Sequence, residues 1–256
     1  MKELLKKAAT VILPKKVMQY FKGYYYYLKL KSEGILVEPE LKMLDNLLSK
    51  GGTFIDIGAN YGRYTKALSK IAGYKGHVLS FEPIPTTFHT LQFAVQKLKL
   101  RNVKLHNTAL SDFKGESLME IPTYLSGGDN YYEARLTKVA NPKSLNVKIK
   151  CNTLDGITSK IKKVDFIKID VEGHELEALN GGEQLINTNM PLILIEINGE
   201  LLNGKNKKVV ELLETKGYKL FFCDDELLYS DIEKNPGVNY FALTKSHQKK
   251  LKDFIA

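Results

Sequence analysis

The chain has 256 residues, 43% of them hydrophobic, which suits one large α/β domain with a short appendage and leaves little room for two full domains. The formal net charge is +9, and the two cysteines, Cys151 and Cys223, are too far apart to suggest a disulfide scaffold or a zinc site. This cysteine usage favours a reducing compartment, so we expect a cytoplasmic protein. No apolar run approaches the ~20 residues that span a bilayer and no signal-peptide pattern is present, so we expect the chain to be soluble or peripheral to a membrane.

The basic excess is concentrated at the N-terminus. Residues 1–32 hold eight lysines and one acid, so they carry +7 of the total of +9. Apolar residues recur at helical spacing before Pro14, and an aromatic run follows at 24–27. This pattern predicts a basic helical arm over residues 1–50, which either caps the domain that follows or contacts an anionic membrane surface. Nucleic acid is the partner that we favour least for this arm.

After the arm, strand and helix patterns alternate along the chain. A helix is predicted over 39–48, and further helices separate the first five strands. The predicted strands are 53–57, 77–81, 103–107, 166–170, 192–197, 218–222 and 239–243. Residues 112–153 interrupt this alternation and predict a β-hairpin insertion. The chain is therefore expected to form an α/β, Rossmann-like domain over 51–256, with a seven-stranded, mostly parallel sheet and an antiparallel last strand.

A glycine-bearing turn follows the first strand. Asp56 ends an apolar run, Gly58 and Gly62 allow backbone angles that a Cβ would forbid, and a helix is expected to begin near Arg63. Strand, turn and helix in this order form the ligand-binding entry of a doubly wound sheet. A dinucleotide site would need a glycine where Asn60 stands, because the pyrophosphate approaches the backbone there.

S-adenosylmethionine fits the strand ends better, since it has no phosphate and carries a cationic sulfonium and an ammonium. Asp56 would place negative charge beside these cations. Glu82 ends the second strand about 20 residues later, where a carboxylate accepts the ribose hydroxyls in this fold. After the third strand, Asp112 is expected to accept the adenine amino hydrogens, although Ser-Asp pairs are also common in turns.

Five ordered motifs of the chain resemble the FkbM-type methyltransferases, a class I family that uses S-adenosylmethionine. They are DIGANYG at 56–62, FEP at 81–83, ALSD at 109–112, TLD at 153–155 and IKIDVEGHE at 167–175. The resemblance implies methyl transfer to a hydroxyl of a sugar, glycan, glycolipid or similar hydroxylated metabolite. The cofactor contacts expected from it and from the strand ends are Asp56, Gly58, Ala59, Asn60, Tyr61, Gly62, Thr65, Glu82, Pro83, Leu110, Ser111, Asp112 and Asp170.

The residues expected to be catalytic, Asp170, Glu172 and His174, lie at and just after the end of the fourth strand. Asp170 lies at a carboxyl strand end, where ligands gather in open α/β sheets. His174 is a candidate general base because an imidazole titrates near neutral pH, and Asp170 or Glu172 would orient it or bind the acceptor hydroxyls. The alternative is a helix N-terminus that favours acids and leaves His174 exposed.

Three alternatives stay open at this point. Asp170, Glu196 and Asn198 offer oxygen ligands for a divalent cation such as Mg²⁺, which we do not favour because two acids make a thin ligand shell. An RNA methyltransferase would suit the basic charge, but no RNA-binding module is recognisable. A non-catalytic module that binds S-adenosylmethionine is the third.

Overall fold

The computed structural model describes residues 14–34, 38–124 and 128–256. The helix predicted before Pro14 lies outside these residues. Within them, the strands are β1 Thr53–Ile57, β2 His77–Phe81, β3 Val103–His106, β4 Ala109–Leu110, β5 Gly115–Ile121, β6 Arg135–Thr137, β7 Leu145–Asn152, β8 Phe166–Ile169, β9 Leu192–Glu196, β10 Tyr218–Asp224, β11 Leu227–Tyr229 and β12 Asn239–Thr244.

The helices are α1 Lys15–Ser32, α2 Pro39–Leu47, α3 Arg63–Ala72, α4 Pro85–Lys97, α5 Leu154–Thr158, α6 Glu175–Asn180, α7 Glu183–Asn189, α8 Gly204–Thr215 and α9 Lys245–Lys250, with 3₁₀ turns at Ile232–Lys234 and Lys252–Phe254. Among the described helices, none is long and apolar enough to cross a bilayer.

The central sheet has the order β11-β10-β12-β9-β8-β1-β2-β3. β1 pairs in parallel with both β2 and β8, so the chain winds outward from β1 in two directions. The carboxyl ends of β1 and β8 therefore border the crevice where doubly wound folds bind ligands. The predicted α/β class and the antiparallel last strand are confirmed, because β12 runs antiparallel to β9 and β10.

Two details of the sheet prediction are corrected. The central sheet has eight strands instead of seven, because β11 pairs with β10 through only three residues, too few to show a periodic pattern. The 112–153 insertion is more than a hairpin: β5 and β7 pair antiparallel as expected, and β6 and β4 extend them into a separate four-stranded sheet.

Both faces of the central sheet are buried, as the apolar runs of its parallel strands predict. On one face, Phe54 and Phe166 pack with Leu44 of α2 and Leu68 of α3. On the other, the isoleucines of β1 and β8 pack with α6 and α7. This double cover fixes the strand ends, and hence the side chains that extend from them into the crevice.

Helix α1 packs on α4. The Gln19 amide donates a hydrogen bond to the Thr86 carbonyl at 2.7 Å and lies 2.9 Å from the Thr90 hydroxyl. Gly23 faces the Phe93 ring, which a Cβ at this position would approach to 3.0 Å. The missing side chain thus lets α1 lie close against the domain.

Candidate cofactor and acceptor site

The turn after β1 requires its glycines. Gly58 has φ +80°, and a Cβ there would lie 1.7 Å from the Asp170 carbonyl oxygen. Gly62 has φ +98°, and its Cβ would lie 2.6 Å from Leu91 Cδ1. The first close approach brings the end of β1 against the end of β8, which places the Gly58 turn beside the catalytic group predicted from sequence.

Glu82 is tied to this turn by backbone hydrogen bonds. The Asn60 N–H donates to Glu82 Oε2 at 3.0 Å, and the Ile84 N–H donates to Oε1 at 2.9 Å. Asn60 is left-handed, with φ +47°, which turns its N–H toward the carboxylate. Burial raises the pKa of Glu82 to about 7, while the two N–H donors oppose that rise. Each oxygen keeps a lone pair for a ligand hydroxyl.

Asp56 is fully buried at the end of β1. The Thr65 hydroxyl donates to its Oδ2 at 2.6 Å, whereas Oδ1 has no hydrogen-bond partner among the described residues. Burial raises the pKa of Asp56, and the nearby Lys168 ammonium opposes that rise. A buried carboxylate oxygen without a donor is costly, so this atom is suited to a cationic or N–H ligand group.

Two adjoining cavities open above these strand ends. The first, of about 290 Å³, brings together eight of the residues predicted from sequence: Gly58, Asn60, Glu82, Pro83, Leu110, Asp170, Glu172 and His174. The second, of about 210 Å³, is lined by Asp56, Ala59 and Tyr61 and shares Gly58, Asn60 and Asp170 with the first. A ligand with two dissimilar ends could therefore extend from one cavity into the other.

Four predicted cofactor contacts line neither cavity: Gly62, Thr65, Ser111 and Asp112. Gly62 allows the backbone angle of the turn, and the Thr65 hydroxyl donates a hydrogen bond to Asp56. Ser111 is buried, and its hydroxyl lies 2.9 Å from His174 Nε2. Asp112 is exposed, and the structure does not bring it to the cavity wall.

His174 has a polar neighbour at each ring nitrogen, and only the one at Nε2 is within hydrogen-bond geometry. Nε2 faces the Ser111 hydroxyl, and Nδ1 lies 3.4 Å from Glu177 Oε2. The carboxylate beside His174 is thus Glu177, and neither Asp170 nor Glu172 orients it as the sequence suggested. Burial lowers the pKa of His174, and the Glu177 charge opposes this effect. Glu177 was not predicted as a site residue. It follows His174 by three residues at the start of a helix, a spacing that brings the two side chains together.

Three carboxylates meet at the ends of β8 and β9. Asp170, Glu172 and Glu196 each offer an oxygen within 4.8 Å of the others. Burial and the Asp170 charge raise the pKa of Glu172 to about 7, and the same two causes raise the pKa of Glu196. Glu172 has φ +50°, a strained angle for this residue type that turns its side chain toward the cavity.

Lys168 supplies a buried positive charge to this carboxylate group. Its Nζ lies 2.7 Å from Asp170 Oδ2. Burial lowers the pKa of Lys168, but the carboxylates of Asp170 and Asp56 outweigh that effect and raise it. Lys168 was not predicted as a site residue, although its spacing of two residues from Asp170 places both side chains on the same face of the strand.

Aromatic side chains from three distant segments close the side of the cavities. The Tyr26 ring of α1 stacks on Tyr61 of the glycine turn, with centroids 3.7 Å apart and planes 14° apart. The Tyr26 hydroxyl lies 3.2 Å from that of Tyr132 in the insertion. Lys22 lies over the Tyr131 ring at 4.3 Å. Arm, turn and insertion therefore share one wall.

Comparison with known proteins gives a consistent family assignment. The family described as Methyltransferase FkbM domain matches residues 56–220. Methyltransferase 1 of Beauveria bassiana is 25% identical over 184 residues, which are 64% of this chain and 71% of that protein. Hexuronic acid methyltransferase AglP of Haloferax volcanii is 27% identical over 147 residues, which are 56% of this chain and 54% of that protein.

A solved structure shares the fold. The crystal structure of an FkbM methyltransferase from Methylobacillus flagellatus superposes with a TM-score of 0.51 at 17% identity, covering 77% of this chain and 45% of that one. This chain thus spans about half the length of two of these proteins.

Proposed function

The chain belongs to the FkbM family of S-adenosylmethionine-dependent methyltransferases, and we propose that it methylates a hydroxyl group of a neutral sugar, in a saccharide or a glycolipid. The observation that carries this proposal is the first cavity. It joins Glu82, which is suited to ribose hydroxyls, to the carboxylates at the ends of β8 and β9 and to two tyrosines of the insertion.

The residues present suit the cofactor. Glu82 keeps a free lone pair on each oxygen for the ribose hydroxyls, and the unpartnered Oδ1 of Asp56 suits the ammonium of the methionine part. Pro83 and Leu110 offer apolar surface for the adenine. When bound, S-adenosylmethionine supplies an electrophilic methyl group on a positively charged sulfur.

The acceptor side must align a hydroxyl and remove its proton. The methyl group would pass to the acceptor oxygen as its bond to sulfur breaks, with a neutral thioether as the leaving group, and the hydroxyl proton would pass to a protein base. Glu172 is our first candidate for that base, because it lines the cavity and its pKa of about 7 matches the working range. Asp170, which borders both cavities, would align the acceptor hydroxyl.

His174 is the second candidate for the base. It lines the same cavity, but Ser111 and Glu177 face its two nitrogens, so it would have to give up one of them to take the proton. We therefore assign His174 a positioning role, holding the loop that carries Glu172.

The negative charge of the first cavity favours a neutral acceptor. Four carboxyl groups line the first cavity, and no lysine or arginine is among its lining residues in the described part of the chain. A hexuronic acid, the substrate class named for the AglP relative, would place a further negative charge against them. Tyr131 and Tyr132 offer flat faces on which a sugar ring can pack.

A divalent cation fits the carboxylate group poorly. A hard cation prefers several free oxygen ligands. Here the Lys168 ammonium already contacts Asp170, and the Asn198 amide N–H donates to Glu196 at 2.9 Å, so two of the candidate carboxylates already have donors. We therefore propose a reaction that uses no metal.

The proposal is tested with labelled methyl donor and a panel of acceptors: neutral oligosaccharides, hexuronate-containing oligosaccharides and RNA, each with and without a chelator. We expect label in the neutral saccharides with or without the chelator. Transfer to RNA alone would reject the sugar assignment. Donor binding without transfer to any acceptor, under conditions where the relatives are active, would favour a non-catalytic module.

A further inference from the structure

Helix α1 carries a continuous exposed apolar face. Six of the twelve large hydrophobic side chains that are exposed in the described residues lie on this one helix: Val17, Tyr20, Phe21, Tyr24, Tyr25 and Leu28. Their spacing of i, i+3, i+4, i+7, i+8 and i+11 places all six on one side of an α-helix. Phe21 and Tyr25 are 59% and 60% exposed, so the face is open and not a partly covered edge of the core.

The opposite side of α1 is fixed to the domain, which sets the direction of the open face. Gln19 bonds to α4, and Leu30 is buried. The Lys66 ammonium donates to the carbonyls of Leu30 and Glu33 at the end of α1. The helix therefore cannot turn its apolar face inward without breaking these contacts, and the face stays exposed unless something outside the chain covers it.

The charge around this face has one sign. The eighteen residues of α1 include five lysines and no aspartate or glutamate. Lys16 and Lys31 are exposed, and Lys29 is partly exposed near the C-terminal end of the helix. A second copy of the chain would bring two such lysine sets together, which disfavours pairing through this face.

We propose that the exposed face of α1 binds an anionic lipid bilayer, with the helix lying in the interface. Tyrosine and phenylalanine are suited to the boundary between headgroups and acyl chains, and the flanking lysines are attracted to anionic headgroups. Nucleic acid would also attract the lysines, but it does not account for a contiguous face that includes Val17, Phe21 and Leu28.

Docking in this orientation would bring the cavities close to the lipid. The inner side of α1 carries Tyr26 and Lys22, which contact the tyrosines of the cavity wall. One helix diameter, about 10–12 Å, would separate the lipid-facing side from that wall. If the proposed sugar specificity holds, this distance suits a saccharide carried on a lipid; the docking itself does not depend on it.

The test is sedimentation of the full chain with vesicles of phosphatidylcholine alone or mixed with phosphatidylglycerol. We expect binding to the mixed vesicles that weakens with added salt. The triple variant Phe21→Ser, Tyr25→Ser, Leu28→Ser should bind at least about tenfold more weakly. The control Tyr74→Ser, Val139→Ser removes apolar side chains that are 89% and 76% exposed elsewhere, and should bind like the wild type.

Several outcomes would overturn the proposal. They are failure of the folded wild type to sediment with mixed vesicles, equal binding by the triple variant, concentration-dependent dimerisation that only the triple variant loses, and RNA binding that only the triple variant loses. Circular dichroism and binding of S-adenosylmethionine check that the triple variant is folded. Because methyl transfer is not measured, failure of the sugar proposal would leave this result unaffected.

Discussion

Gly58 shows at the residue scale why the turn has this sequence. A side chain there meets backbone, the Asp170 carbonyl, which cannot move without displacing the end of β8. Gly51 is a matched control, since it has a similar φ of +85° but no atom lies within 4 Å of the position that a Cβ would take.

Gly58→Ala is expected to lower the free energy of unfolding by more than about 3 kcal/mol, because overpacking adds to the cost of the left-handed angle. Gly51→Ala should lower it by only about 1 kcal/mol, the cost of that angle alone. Urea unfolding of both variants measures the difference. Equal losses would show that the contact with β8 is unimportant.

Glu172 gives a pH prediction at the same scale. Its pKa is raised to about 7, so it is protonated below that pH and able to accept a proton above it. Activity should therefore rise with pH through about 7, and Glu172→Gln should lower kcat about a hundredfold and remove that rise. The exposed Glu200→Gln is the control. A full rise retained in Glu172→Gln would show that Glu172 is not the base.

The residues that could be predicted from sequence are those fixed by local rules. Glu82, Asp170 and Glu172 follow the carboxyl ends of parallel strands, which lie at the same edge of the sheet. Their position in sequence therefore predicted that they would lie close together, and they line one cavity. Lys168 and the Tyr26–Tyr61 stack could not be found in this way. Tyr26 and Tyr61 lie 35 residues apart on a helix and a turn, so no sequence period encodes their contact. Lys168 pairs with Asp170, two residues further along at the end of the same strand, but the pattern of the strand does not show that this lysine is buried beside the cavity.

Lys66 links the C-terminal end of α1, an element of the arm, to the domain through a buried ammonium. Its ammonium satisfies two carbonyls at the C-terminal end of α1, where the helix leaves carbonyls without partners. Burial lowers the pKa of Lys66, and the Glu33 charge opposes this effect.

Lys66→Met should therefore loosen the end of α1 while leaving the sheet intact. We expect faster tryptic cleavage at Lys29 and Lys31, by about tenfold if about 1.4 kcal/mol of local stability is lost. Lys70→Met on the same helix changes an exposed lysine and should cleave like the wild type. Unchanged cleavage of the Lys66 variant would mean that the other contacts suffice to hold α1.

The longer strands and helices could be predicted from the sequence, whereas the strands of two or three residues could not. The parallel strands and their helices repeat a pattern over four residues or more, which periodicity can detect. β6 and β11 have three residues each, and β4 has two. These strands are too short to show a periodic pattern and are defined by their pairing with neighbouring strands. The insertion therefore formed a four-stranded sheet where the pattern predicted a hairpin.

At the scale of the whole molecule, charge is divided between two regions. The N-terminal 32 residues carry +7 of the net +9, whereas four carboxyl groups line the first cavity. The chain thus combines an acidic cavity, suited to a cationic cofactor and a neutral acceptor, with a basic arm suited to an anionic surface.

We propose that carboxylates at neighbouring strand ends hold S-adenosylmethionine, with Glu82 on the ribose. Calorimetric titration of the wild type, Glu82→Gln and the exposed control Glu116→Gln with S-adenosylmethionine tests it most directly. We predict binding to the wild type and to Glu116→Gln, and binding at least about tenfold weaker to folded Glu82→Gln, since a charged acceptor of two hydroxyls is lost. Absence of binding to the wild type, or equal affinity in Glu82→Gln, would show that Glu82 does not hold the ribose of the cofactor.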